Sequence, residues 1–176
     1  MAVFYLHEDD WGMVNLMPVE NIARAKEVAQ EAEEFGREHF DGVGWTDMYV
    51  IPEEKHPIEE RRIRLDELRE LVGGHLAEAE KVQSGYSSYV EDLPDTFAFG
   101  EGYSGKGAFY GNSKEGLIVR LHLLLCDPED EDGVQFFARV LGALGERYGL
   151  ILADWWRDVV VDLSDRERVV AYLRET

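Results

Sequence analysis

Apolar residues recur along the chain at two spacings, and each spacing predicts one type of secondary structure. Spacings of three and four residues predict helices at 18–40, 66–83 and 134–148, and a last helix that starts at residue 164. Alternating or continuous apolar runs predict strands at 2–7, 13–17, 45–51, 116–126, 150–153 and 159–163, with two short strands inside 97–111. We expect the segments 84–96 and 127–133 to be loops.

The order of these elements indicates the fold class. Strands and helices are mixed without a regular β-α-β alternation, which favours an α+β fold over a parallel α/β fold. We expect a largely antiparallel sheet of about five to seven strands, with three to four helices packed mainly on one face. Because no long linker, low-complexity tract or internal repeat interrupts the chain, residues 1–176 are predicted to form a single domain.

Two local signals add detail to this prediction. The turn residues from Asp9 to Gly12 separate the first two predicted strands, and this arrangement is typical of a β-hairpin. Ser164 and Glu167 have the spacing of a capping box, so we expect Ser164 to begin the last helix.

Charge changes the picture more than any other property of the composition. The chain has 37 acidic and 18 basic residues and a formal net charge of −19. Such a protein repels nucleic-acid phosphates and anionic membranes, so we expect neither as a partner. Residues 1–60 contain 15 acidic and 4 basic residues, which concentrates the excess charge near the N-terminus. The expected partner is therefore a basic protein.

The predicted first helix carries the most informative part of this charge. Its glutamates at spacings of four, three and four lie along one face: Glu27, Glu31, Glu34 and Glu38. Like charges at these spacings destabilise a helix, and a cationic partner would relieve the repulsion. We therefore assign partner binding to this face and to the Asp9–Asp10–Trp11 turn, which adds two carboxylates and an aromatic anchor. A solvated helix face that only keeps the protein soluble is the alternative.

A glycine-rich stretch gives an alternative function, a small enzyme that binds a nucleotide or phosphate. Its candidate residues are Gly100, Gly102, Gly105 and Lys106, which fit the pattern G-x-x-x-x-G-K of a phosphate-binding loop. The following position is Gly107 instead of Ser or Thr, and a strand is predicted there instead of a helix. A flexible hairpin turn explains the same glycines.

Other candidate chemistry is sparse. The five histidines lack zinc-site spacing, and the acidic stretch 127–132 does not match the EF-hand pattern, so it is either a helix-capping segment or a weak calcium site. Arg120 and His122 interrupt the apolar pattern of strand 116–126, which indicates either the wall of a site or a solvent boundary. The single cysteine, Cys126, has no partner for a disulfide. We expect no catalytic residues, no metal and no cofactor.

The stretch from Phe4 to Pro18, FYLHEDDWGMVNLMP, resembles the opening of small acidic bacterial immunity proteins that accompany polymorphic or contact-dependent toxins. The resemblance implies a protein without enzymatic activity that binds and neutralises a cognate, basic toxin domain by direct contact during bacterial competition. It also implies a cytoplasmic location, which agrees with an N-terminus that lacks the basic start of a signal peptide. Self-association into a homo-oligomer is a further interpretation, because exposed aromatic residues also serve that role.

Overall fold

The computed structural model describes residues 2–86, 88–126 and 131–175. The nine strands within these residues are β1 (Val3–His7), β2 (Val14–Pro18), β3 (Lys81–Tyr86), β4 (Tyr89–Asp92), β5 (Thr96–Gly100), β6 (Gly107–Lys114), β7 (Leu117–Leu125), β8 (Leu150–Asp154) and β9 (Val159–Asp162). The four α-helices are α1 (Ile22–Glu38), α2 (Leu65–Val72), α3 (Glu131–Tyr148) and α4 (Arg166–Arg174). The chain has an α+β fold, as predicted.

The strands form two sheets. The larger sheet is six-stranded, with the order β5-β6-β7-β2-β8-β9, and every neighbouring pair is antiparallel. The smaller sheet has the order β1-β3-β4, in which β1 and β3 are parallel. The size of the larger sheet agrees with the prediction, whereas the smaller sheet was not foreseen.

Helices α2, α3 and α4 cover one face of the larger sheet and form the main hydrophobic core. Alternate strand residues such as Leu16, Phe109 and Leu152 point into this core and contact apolar side chains of the three helices. Gly145 lets α3 approach the end of β9, because a Cβ atom there would lie 2.4 Å from the backbone carbon of Leu163. This tight packing fixes α3 against the sheet.

The other face of the sheet is covered by two separate structures. Helix α1 packs on the β2, β8 and β9 side through residues that include Ala25, Ile151 and Ala153. The smaller sheet packs on the β5 and β6 side through residues that include Phe4 and Tyr110. A strip of sheet on β7 and β2 remains between these two covers, and it forms the floor of the cleft described below.

Several local predictions were wrong. Strands β1 and β2 do not form a hairpin: β1 pairs with β3 in the smaller sheet, and β2 pairs with β7 and β8 in the larger one. A 3₁₀ turn at Glu8–Asp10 and the left-handed backbone of Gly12 (φ 77°) redirect the chain between the two sheets. The residues that looked like a hairpin turn therefore connect two layers of the fold.

Element boundaries differ in three other places. Helix α2 ends at Val72, and the sequence beyond its two glycines forms β3 and β4 in place of a longer helix and a loop. The predicted strand 45–51 is irregular. The last helix is capped by Asp165, whose carboxylate accepts a hydrogen bond from the Arg168 amide, and not by Ser164. The Ser164 hydroxyl instead donates to Asp162.

Candidate functional site

The four glutamates of the predicted binding face all lie exposed on α1. Arg24 sits one turn before Glu27 and two turns before Glu31, and its guanidinium donates to both carboxylates at 2.8–3.3 Å. Hydrogen bonds from Arg24 and then from the Tyr49 hydroxyl hold the pKa of Glu31 below its usual value. The repulsion in the N-terminal half of this face is therefore partly neutralised within the protein.

The C-terminal half of the same face keeps its negative charge. Glu34 accepts a hydrogen bond from the neutral Gln30 amide at 3.0 Å. Among the described residues, no arginine, lysine or histidine lies within ion-pairing distance of Glu34 or Glu38. Glu33, on the neighbouring face, has only a distant partner, with Arg37 at 4.0 Å. Uncompensated carboxylates are thus concentrated toward the end of α1.

The chain after α1 runs back along the helix and places apolar side chains beside these carboxylates. A bridge between Phe40 and Trp45 turns the chain, and the Trp45 indole lies against Gly36. Farther along, Tyr49 packs on Phe35 with ring centroids 5.6 Å apart, and its hydroxyl donates to Glu31 at 2.8 Å. The segment 40–50 is therefore anchored to α1 by its polar and aromatic contacts.

Five apolar side chains of this segment are strongly exposed to water. The exposed fractions are 95% for Val43, 80% for Met48, 78% for Val50, 72% for Trp45 and 50% for Phe40. An exposed apolar cluster rimmed by charged residues is typical of a protein interaction site, in which a tryptophan often contributes most of the binding energy. We name the segment 40–50 together with Glu34 and Glu38 the α1 surface.

The sequence interpretation missed the apolar half of the α1 surface. The apolar and aromatic residues from Trp45 to Ile51, which are followed by Pro52, predicted a strand. Among the described residues no strand of either sheet pairs with this segment, and most of its apolar side chains are exposed. The signal was present in the sequence, but its interpretation depended on a tertiary contact that does not form.

The Asp9–Asp10–Trp11 turn lies on the same sheet face but does not belong to the α1 surface. The Asp10 carboxylate accepts a hydrogen bond from the Tyr103 hydroxyl, whereas Asp9 is exposed. Trp11 is half-buried, with its ring centroid 4.9 Å from that of Tyr110. Trp11 is therefore a packed residue at the edge of a cleft rather than a free aromatic anchor.

One row of side chains crosses the sheet beneath this cleft. The register places Tyr110 opposite His122, His122 opposite Asn15, and Asn15 opposite Ala153, so the four side chains point to the same face. Tyr110 is covered by the smaller sheet and Ala153 by α1. His122 and Asn15 occupy the gap between the two covers.

The cleft above His122 has a volume of about 470 Å³. Its walls are formed on one side by the turn at 11–13 and on the other by the segment 51–59, and they include the aromatic ring of Trp155. Four charged residues line it: Glu53, Glu54, Glu59 and Arg120. Arg120 and His122, which the sequence marked as the wall of a site or a solvent boundary, both line this cleft.

His122 is buried without a hydrogen-bond partner. The residue is 5% exposed, and within the described parts of the chain neither ring nitrogen has a hydrogen-bond partner. The Trp11–Gly12 turn covers the ring, since a Cβ atom on Gly12 would lie 3.4 Å from its Cε1 atom. Burial, and then the positive charge of Arg120, lower the pKa of His122 to about 4, so the imidazole is neutral near pH 7.

The glycine-rich residues proposed for phosphate binding connect β5 to β6 in an antiparallel hairpin. Gly100 ends β5 with φ 129°, and a Cβ atom there would lie 2.4 Å from the Gly107 carbonyl oxygen. Gly102 opens a 3₁₀ turn, Gly105 ends it, and Lys106 precedes β6. A strand follows this loop, whereas a phosphate-binding loop of the pattern G-x-x-x-x-G-K leads into a helix. Backbone packing accounts for Gly100 without a ligand.

The remaining candidates have simple structural accounts. Glu131 and Asp132 lie in the first turn of α3, while Asp127 to Asp130 of the same acidic stretch lie outside the described residues. Burial raises the pKa of the Cys126 thiol, and its Sγ atom lies 3.5 Å from the Gly102 carbonyl oxygen. Among residues 2–86, 88–126 and 131–175, no group of three or more His, Cys, Asp or Glu is placed to hold a metal ion.

Within the same ranges, none of the helices has the length and apolar character needed to cross a membrane. Comparisons of the chain with protein-family profiles, with curated protein sequences and with solved structures gave no match.

Proposed function

We propose that this chain is an immunity or inhibitor protein of the cytoplasm that binds a cognate, basic bacterial toxin domain and neutralises it by direct contact. The proposal rests on one observation, the α1 surface: its segment 40–50 exposes Val43, Trp45 and Met48, and among the described residues no cation lies within ion-pairing distance of Glu34 or Glu38. Such a surface supplies both an apolar anchor and a charged rim.

The sign of the charge specifies the partner. Residues 27–54 contain nine acidic side chains and one basic side chain, Arg37. This local field attracts a cationic protein and speeds its association, while it repels other acidic surfaces. Inhibition then needs no chemistry from this chain, because occupation of the partner's active site or of its substrate path is sufficient.

The experiment is a titration of this chain with the protein encoded by the adjacent gene, followed by calorimetry at two salt concentrations. The test variant carries Gln at positions 27, 31, 34 and 38. The matched control carries Gln at Glu70, Glu115, Glu146 and Glu167, which are exposed glutamates on other parts of the molecule, so that the net charge changes equally. We expect the test variant to lose at least tenfold in affinity and the control to lose less than threefold.

A second pair of variants separates the apolar contribution from charge. Trp45→Ser removes a 72% exposed indole from the α1 surface, and Tyr89→Ser removes a 74% exposed ring from β4 in the smaller sheet. We expect only Trp45→Ser to weaken binding by tenfold or more, since truncation of an aromatic anchor costs about 2 kcal/mol or more. Equal effects within either pair, or no binding to the adjacent gene product, would contradict the proposal.

A further inference from the structure

The cleft above His122 has the composition of a pocket for a single cationic side chain. Its acidic residues Glu53, Glu54 and Glu59 outnumber its one lining cation, Arg120. Among the described residues, none of the three carboxylates has an arginine, lysine or histidine within ion-pairing distance. The cleft therefore presents unpaired acceptors at its rim.

The inner part of the cleft adds a second, independent feature. His122 lies on its floor, and neither of its ring nitrogens has a hydrogen-bond partner among the described residues, although buried polar groups are nearly always hydrogen-bonded. A neutral imidazole offers one lone pair as an acceptor, and the Asn15 side chain beside it offers a carbonyl oxygen. An N–H donor that enters the cleft would give the imidazole a partner that the described residues do not supply.

The aromatic walls favour a planar cation. Trp11 and Trp155 both line the cleft, and a guanidinium stacks on an indole face more readily than an ammonium does. A guanidinium also carries five N–H donors in a fork that matches carboxylates, so it fits a rim of glutamates above an acceptor floor. Its stem has an apolar path, because Met13, Ile51 and Pro52 also line the cleft.

From these features we propose that the cleft binds an arginine side chain that the basic partner inserts between the Trp11–Gly12 turn and the segment 51–59. The inference rests on the proposed function, since the partner supplies the arginine. In the free protein the turn covers both nitrogens of His122, so the turn moves outward when the guanidinium reaches the ring. Arginine insertion and contact with the α1 surface involve different residues and are measured separately.

The test uses this chain alone, with N-acetyl-arginine methylamide as the probe and ¹⁵N NMR of the histidine side chains as the readout. We expect millimolar binding that shifts the His122 ring resonances and changes the tryptophan fluorescence, since Trp11 and Trp155 line the cleft. The citrulline analogue, which has the same shape without the charge, is expected to bind at least tenfold more weakly. An equal response to citrulline would refute recognition of a cation.

Two variants test whether the glutamates of the rim and His122 of the floor contribute to binding of the arginine probe. The double variant Glu53→Gln and Glu54→Gln is expected to lower the affinity for the arginine probe at least fivefold, because it removes two carboxylates from the rim. His122→Leu keeps the floor filled and removes the acceptor, and we expect at least a threefold loss of affinity in a protein that still folds.

An unchanged affinity in both variants would overturn the assignment. So would a shift of the His122 resonances by acetate or phosphate in place of the arginine probe, since that outcome would make the cleft an anion site of Arg120. If the arginine probe binds but the α1 variants leave the partner's affinity unchanged, the cleft assignment stands and the α1 surface proposal fails.

Discussion

The guanidinium of Arg24 holds both carboxylate oxygens of Glu31, with nitrogen–oxygen distances of 2.8 and 3.3 Å. The two residues are seven positions apart on α1, so the Arg24 side chain spans two helical turns to reach Glu31. It also contacts Glu27, which lies between them. This pairing divides the acidic face into a compensated N-terminal half and an uncompensated C-terminal half.

We predict that Arg24→Gln strengthens the capture of a basic partner. The substitution frees Glu27 and Glu31 and makes the local field more negative, so the association rate at low salt should rise about two- to fivefold. Arg24 and its two glutamate partners are exposed, so the midpoint temperature of thermal unfolding should change little. Stopped-flow mixing with the adjacent gene product measures the rate. Lys26→Gln removes one positive charge from the same helix without breaking a described ion pair, so it measures the effect of net charge alone, and we expect its rate increase to be smaller than that of Arg24→Gln. A slower association of Arg24→Gln would mean that the arginine itself contacts the partner.

His122 predicts a specific dependence of stability on pH. Its pKa is about 4 in the folded protein and about 6.5 in the unfolded chain, so the unfolded state binds more protons between these values. The His122 contribution is complete above pH 6.5 and is lost as the pH falls toward 4, by roughly 3 kcal/mol in total. Urea unfolding of the wild type and of His122→Leu across this range isolates the contribution. The variant should be the more stable protein at pH 4.5, and parallel pH profiles would show that the ring is not held neutral.

The buried carboxylate of Asp154 predicts a local stability effect at the β8–β9 turn. It accepts hydrogen bonds from the amides of Trp156 and Arg157 and, at 2.9 Å, from the Tyr172 hydroxyl of α4. Burial and the Asp154 charge raise the pKa of Tyr172, so the hydroxyl stays a donor. Tyr172→Phe should destabilise the fold by about 1–2 kcal/mol, since the buried carboxylate loses one of its three donors, the one that contacts Oδ2. Tyr86→Phe, at an exposed position, should change the free energy of unfolding by less than about 0.5 kcal/mol. Equal effects in denaturant unfolding would contradict the role of this hydrogen bond.

Two glycines of α3 predict opposite outcomes for the same substitution. At Gly145 a new Cβ atom would lie 2.4 Å from the Leu163 backbone, whereas at Gly142 no atom lies within 4 Å. Gly142→Ala should stabilise the protein by about 0.5–1 kcal/mol, because alanine is the better helix former. Gly145→Ala should destabilise it by about 2 kcal/mol or more through overpacking. Thermal unfolding of both variants measures the difference, and two stabilised variants would show that α3 is not pressed against the end of β9.

The sequence was sufficient to predict the α+β class, and it predicted helix α1 and the central strand β7 because each has a long and regular apolar pattern. It also predicted β8 and β9 as separate strands, but not their pairing. It was not sufficient for the smaller sheet. The parallel pairing of β1 with β3 joins residues about eighty positions apart, and nothing local at Val3 or Lys81 encodes that partner. Short apolar segments such as 45–51 were misassigned for the same reason, since exposure is decided by what packs nearby.

The candidate sites show the same division between local and tertiary information. The spacing of Glu27, Glu31, Glu34 and Glu38 correctly predicted a shared exposed face, because helix geometry alone sets it. The pairing of Arg24 with two of these glutamates follows from the same geometry and could have been foreseen. By contrast, the gap at His122 depends on where α1 and the smaller sheet pack on the larger sheet. The sequence indicated only that His122 interrupts the apolar pattern of its strand.

Docking of a basic partner on α1 is best tested by the salt dependence of affinity between this chain and the adjacent gene product, measured for the wild type and for the variant with Gln at 27, 31, 34 and 38. We predict tight binding of the wild type that weakens steeply from about 50 to about 500 mM salt, and a much flatter dependence for the variant, because screening acts on charges that the variant lacks. Identical salt dependences of the two proteins would show that the acidic face of α1 does not dock a basic partner.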